Sequence, residues 1–189
     1  MTTATRQTAR ERLLAAANEL FYAEGVQTVG IDRVIERARV AKASLYNTFG
    51  SKENLVQAYL ETRHQATLQR LLRTVGQHDD PRQRLLAVFD AQAEMFAEPA
   101  FHGCAFITAS AEAPEGGLIE HAADDYRADI RNLLTGLAGE AGASDPAALG
   151  RQLQLLYDGG GLAAQMDRDP DVAASARTAA ALLLDAATR

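Results

Sequence analysis

The sequence has one cysteine, Cys104, no tryptophan and only 5 prolines in 189 residues. A single cysteine excludes an intramolecular disulfide and makes a reducing cytoplasm the expected setting. It also leaves no cysteine pair for zinc, and the histidines at 64, 78, 102 and 121 lack ligand spacing, so no metal site is expected. No stretch of roughly 18 residues is free of charge, which excludes a membrane-spanning helix and a membrane partner of that kind. The start, MTTATRQTARERLL, lacks the apolar run of a secretory signal and leads directly into periodic apolar positions, so it reads as an ordered arm. The triple glycine at 159–161 follows no strand, and no nucleophile-elbow sequence is present. Hence no cofactor is expected, nor is the chain expected to be an enzyme. Runs of Val, Ile and Thr are scarce as well, which argues against a sheet.

What remains is a chain that is 47% hydrophobic and dominated by alanine and leucine, long enough for a sizeable core. An all-α fold is expected, with about nine helices. Charge is distributed unevenly. Residues 1–52 hold 8 Lys/Arg against 5 Asp/Glu, net +3, while the rest hold 11 against 20, net −9. A net charge of −6 repels a polyanion at long range, so any nucleic-acid contact belongs to the N-terminal part.

Apolar positions place a first helix over Thr8 to Glu24, ended by Gly25, and a second carrying Ile31, Val34, Ile35 and Ala38, with Thr28 as its cap and Gly30 weakening it. Residues 39–41 form a tight turn, and a third helix runs from Lys42 to Phe49. Ser51 caps a fourth helix, Lys52 to Val75, marked by Leu55, Tyr59, Leu68, Leu71 and Leu72. Further helices are expected over Arg82–Ala97, a short buried piece within 104–113, Leu118–Ala138, Ala147–Met166 and Asp171–Thr188. The last pair is rich in small residues. We expect the helix through Gly159–Gly161 to be continuous but kinked.

Two short helices across a tight turn, braced by a preceding one, match a helix-turn-helix. With Leu45 and Phe49 facing inward, Ala43 and Asn47 point outward, Ser44 and Tyr46 flank them, and Lys42 stands at the helix start. Short, hydroxyl- and amide-bearing side chains suit a major groove, and Tyr46 can donate to a phosphate. Lys42 and Lys52 can neutralise phosphates, Thr28 and Arg39 can add backbone contacts, and the N-terminus of the fourth helix offers free N–H groups. A polar outer face is also ordinary for any amphipathic surface helix, so periodicity alone leaves both readings open.

The stretch TVGIDRVIERARVAKASLYNTFGSKENLV resembles the DNA-binding domain of the TetR family of bacterial repressors. Thr28, Ile31, Val34, Ala38, Val40, Leu45, Tyr46, Phe49, Ser51, Lys52, Glu53 and Leu55 carry the likeness. Two positions depart from it: Arg39 stands where a glycine is usual in the turn, and Ala41 where a serine usually caps the third helix. The resemblance implies a helix-turn-helix DNA-binding domain over 1–50 and a helical ligand-binding and dimerisation domain over 51–189. It further implies a homodimer paired through its last two helices, a palindromic double-stranded DNA operator and a small-molecule effector that releases it. HGCAFITASAE is similar to a segment in one branch of the family's ligand domains. Aromatic and polar residues on inward faces give the candidates for the effector site: His64, Leu68, Phe89, Phe96, His102, Cys104, Phe106, Tyr126 and Tyr157. Core packing is the plainer account of each, and a lone cysteine is usually a small buried hydrophobe rather than a redox sensor. The alternative reading is a helical small-molecule-binding or interaction protein that does not bind DNA.

Overall fold

The computed structural model describes residues 7–111, 113–114, 116–169 and 171–189. Among them every regular element is helical: α1 (Ala9–Glu24), α2 (Ile31–Ala38), α3 (Lys42–Phe49), α4 (Lys52–Val75), α5 (Pro81–Phe96), α6 (Ala105–Ser110), α7 (Leu118–Glu140), α8 (Pro146–Asp167) and α9 (Val172–Ala187). The expected arm before α1 falls in part on residues 1–6, outside those described. No helix is long and apolar enough to cross a membrane among the described residues. The chain separates by compactness into two units. One comprises residues up to Arg63 with Ala105–Ala123, the other His64–Cys104 with Asp124–Arg189. The boundary thus falls inside α4 and again inside α7, whereas the division at residue 50 marks where the helix-turn-helix ends.

In the first unit the caps explain where helices begin. Thr8 accepts from the Glu11 N–H at 3.2 Å while the Glu11 carboxylate takes the Thr8 N–H at 2.7 Å, a reciprocal capping box. Gly25 then ends α1 at φ 89°, a region open to glycine and strained for other residues. The expectation that Thr28 caps α2 is corrected: the N-cap is Gly30, and no side chain bonds there. Residues 26–29 form turns and a bend in which Val26 and Val29 are buried, and the first helical residue is Ile31. Gly30 therefore costs the helix interior nothing. Leu13, Ala17 and Phe21 of α1 close over Val34 and Ala38 of α2 and Leu45 and Phe49 of α3. Full burial of a side chain such as Leu45 contributes roughly 1.5–3 kcal/mol. Phe21 and Tyr59 meet edge-on at 5.6 Å.

In the second unit α9 packs on both α5 and α8. Ala173, Ala176 and Ala180 supply the flat surface for this, and Arg177–Asp90 at 2.8 Å and Arg82–Asp185 tie α9 to α5. Asp80 and Asp145 cap α5 and α8, each followed by a proline in the first turn. As expected from sequence, α8 runs unbroken through Gly159–Gly161. Of its small residues, Gly150, Gly160 and Ala164 are buried inside the chain, while Gly159 and Gly161 face open space. A Cβ on Gly150 would lie 3.1 Å from the Thr135 Cα of α7, so that glycine permits a helix crossing within one protomer. The short helix expected within 104–113 is confined to Ala105–Ser110, and Leu72, read as part of an apolar stripe, is exposed.

Candidate nucleic-acid interface and ligand-binding cluster

The turn between α2 and α3 is built on Arg39, which adopts the left-handed conformation at φ 53° and ψ 52°. For a residue with a Cβ this costs about 1 kcal/mol relative to glycine. The turn is held from two sides. The Arg39 N–H donates to the Glu36 carbonyl at 3.1 Å, and the Arg12 guanidinium of α1 donates to the Arg39 carbonyl at 3.2 Å. Ala41 is the N-cap of α3 and offers no side-chain bond, as its methyl group dictates. At the other end of α3, the Asn54 amide donates to the Phe49 carbonyl at 2.7 Å, and Ser51 Oγ accepts from the Asn54 N–H at 3.1 Å. Asn54 thus closes the last turn of α3 while its own N–H is capped, a role its exposed, polar sequence position gave no sign of.

The outward face of α3 has the composition expected of it. Lys42, Ala43, Asn47 and Thr48 are exposed, Tyr46 is 46% exposed, and Ser44 is half-buried. Thr48, not singled out from sequence, spends its hydroxyl on the Ser44 carbonyl at 2.6 Å. Thr28 is exposed and Lys52 half-buried at the start of α4.

The charges are arranged differently from a simple basic face. Arg33 grips Glu24 at 2.6 Å and Arg37 grips Glu19 at 2.7 Å, each through two guanidinium nitrogens, fastening α2 to α1. The Arg33 hydrogen bond, with its charge, holds the Glu24 carboxyl below its ordinary pKa. Lys42 Nζ lies 3.0 Å from Asp32 Oδ1, and that hydrogen bond raises the lysine above its ordinary pKa. Lys42 therefore remains charged but is engaged. All three pairs are solvent-exposed, so water and salt screen each of them and its cation exchanges readily for another anion.

Of the nine candidates for an effector site, four form a polar cluster in the second unit. Tyr126 and Tyr157 are buried with their hydroxyls 3.3 Å apart. His64 stacks edge-on against Tyr126 at 5.5 Å, with its Nε2 3.0 Å from Asp129 Oδ2. Burial pushes both phenols well above their ordinary pKa, and the nearby Cys104 thiol adds to the effect on each. The sequence reading missed two buried amides beside them. Gln92 donates to the Tyr157 carbonyl at 2.9 Å, and its Oε1 is buried without a donor. Gln154 accepts from Arg131 at 2.7 Å and donates to the Arg127 carbonyl at 2.9 Å. Glutamine on a helix usually faces water, so composition carries no sign of either. Phe89 is 0% exposed and serves as core, and Leu68 is half-buried. Phe96 packs against Phe101 at 5.0 Å, His102 is exposed instead of facing inward, and Phe106 belongs to α6 in the first unit.

A family model described as bacterial regulatory proteins, tetR family, matches residues 13–59, from α1 into α4. The crystal structure of a TetR-family transcriptional regulator from Streptomyces coelicolor is 32% identical over 96% of this chain and 96% of that one, with a TM-score of 0.90. The transcriptional repressor NemR of Escherichia coli is 32% identical over 110 residues, 57% of this chain and 55% of that protein. The transcriptional activator FasR of Mycolicibacterium smegmatis is 35% identical over 86 residues, 46% of this chain and 39% of that protein. The chain thus spans about half the length of the curated relatives it matches.

Proposed function

The chain belongs to the TetR family of bacterial regulatory proteins, and from that premise we propose that it is a ligand-responsive transcriptional repressor acting as a homodimer. The observation that carries the DNA part is the face of α3. Ala43, Ser44 and Asn47 offer short side chains for base edges, and Tyr46 offers a hydroxyl for a phosphate. Thr28, Arg39, Lys42 and Lys52, with the N-terminus of α4, give the flanking backbone contacts. A dimer presents two such helices to successive major grooves about 34 Å apart on a palindromic operator.

The dimer reading rests on the outer faces of α8 and α9. Leu155, Leu162 and Met166 are 71%, 43% and 73% exposed at helical spacing, with Gly159 between them, and Leu182 of α9 is 67% exposed. An apolar stripe of this kind is unusual on a chain that stays alone in water. The effector reading rests on the His64, Tyr126, Tyr157 and Cys104 cluster, where the unmet Gln92 acceptor invites a ligand donor. The effector releases DNA by binding more tightly to the arrangement whose recognition helices are wrongly spaced.

Retention of a random pool of labelled duplexes on the protein tests the reading. Duplex is retained at low salt and released as salt rises, because phosphate contacts displace counterions. No retention at about 50 mM salt would favour the helical binding protein without DNA activity.

A further inference from the structure

The four cations between Ile31 and Phe49 are not equivalent. Arg33, Arg37 and Lys42 are each bonded to a carboxylate, at 2.6, 2.7 and 3.0 Å, while Arg39 has no acidic partner among the described residues. Glu36 lines the same cleft as Arg39 without pairing to it. Arg39 is also one of two residues other than glycine with positive φ among the described residues, and its carbonyl is pinned from α1 by Arg12. A glycine would relieve that strain. Strained positions that persist against such a simple alternative cluster at functional sites.

We propose that, of the four cations between Ile31 and Phe49, Arg39 is the one that contributes most to phosphate attraction, and that its backbone strain is kept for the sake of that charge. The inference rests on the DNA-binding reading above and adds which cation carries it. Arg33 and Arg37 serve to fasten α2 to α1. Lys42 reaches a phosphate only by giving up Asp32, so its net gain is small. Arg39 is exposed and gives up no carboxylate. The Arg12 bond to its carbonyl keeps the strained turn from relaxing.

The prediction has two halves that move in opposite directions. Arg39→Gly raises the melting temperature by about 2–4 °C, since a chain of this size shifts by that much when the left-handed strain is removed. The same change weakens binding to a duplex selected by the wild type by roughly tenfold or more and lowers the salt slope by about two, one for each half-site. Arg39→Lys restores most of the affinity and slope without the gain in melting temperature. Lys42→Gln costs less affinity than Arg39→Gly, and Asp32→Asn tightens binding only while Lys42 is present. Fluorescence anisotropy against salt, with thermal melts of the same full-length variants, reads all of these. An Arg39→Gly protein with unchanged affinity and slope overturns the proposal, as does one that melts lower, or a Lys42→Gln loss as large as that of Arg39→Gly. If the wild type retains no duplex at all, the DNA-binding reading itself has failed, and that result is distinct from each of these.

Discussion

Replacing Leu162 by glutamate yields a monomer that folds normally and loses DNA binding by two to four orders of magnitude. Leu162 is 43% exposed on a single chain, in line with Leu155 and Met166 on the outer face of α8, so the substitution removes little packing from the protomer itself. Surface changes of this sort usually lie within about 0.5 kcal/mol of the parent. In a dimer the same position is covered, and an unpaired carboxylate there is costly to desolvate. DNA affinity falls steeply because two half-sites held on one particle reinforce each other, with avidity exceeding single-site affinity by roughly 10²–10⁴. Sedimentation equilibrium reads the first half: one chain of 20.3 kDa for the variant and two for the parent. A parent that sediments as one chain, or a variant that stays paired, would mean the stripe on α8 is not the interface.

Substituting Tyr46 by alanine is the second large effect. Tyr46 is 46% exposed, while Leu45 and Phe49 beside it are buried and hold α3 in place. The melting temperature is therefore expected to stay within a degree or two of the parent. DNA affinity is expected to fall by roughly tenfold or more, the loss of one hydrogen bond to a charged phosphate in each of two half-sites. A Tyr46→Phe variant separates the hydroxyl from the ring. If phenylalanine behaves like the parent, the contact is one of stacking and not hydrogen bonding. If alanine leaves affinity unchanged, the outward face of α3 is not the reading surface.

How far these results could be foreseen from sequence differs between elements, for physical reasons. The bounds of α3 and α4 follow directly from Leu45, Phe49 and Leu55 at helical spacing, with Gly50 and Ser51 between. The left-handed Arg39 was legible only through the resemblance, which has a glycine at that place in the turn. The start of α2 was not legible: the polar Thr28 looked like a cap, but it stands in an irregular segment with Val26 and Val29 buried beside it, and α2 begins after Gly30. The pairing of Lys42 with Asp32 was equally hidden, since ten residues and a turn separate them. The polar cluster around Tyr126 was legible only in its residue types. Tyr126 and Tyr157 meet because α7 and α8 bring them together, while His102, of equal promise in sequence, is exposed. The small residues of α8 gave no sign that Gly150 in particular lies against Thr135 of the same chain. Small residues declare close approach without saying to what.

The account centres on two copies of α3 reading one DNA site, and repeated selection from a random duplex pool tests that most directly. The enriched sequences are expected to contain an inverted repeat whose half-site centres lie about 10–10.5 base pairs apart, or a multiple of that, set by the two-fold symmetry of the dimer. Enrichment of a single unrepeated half-site, or of no common sequence after successive rounds, would contradict it.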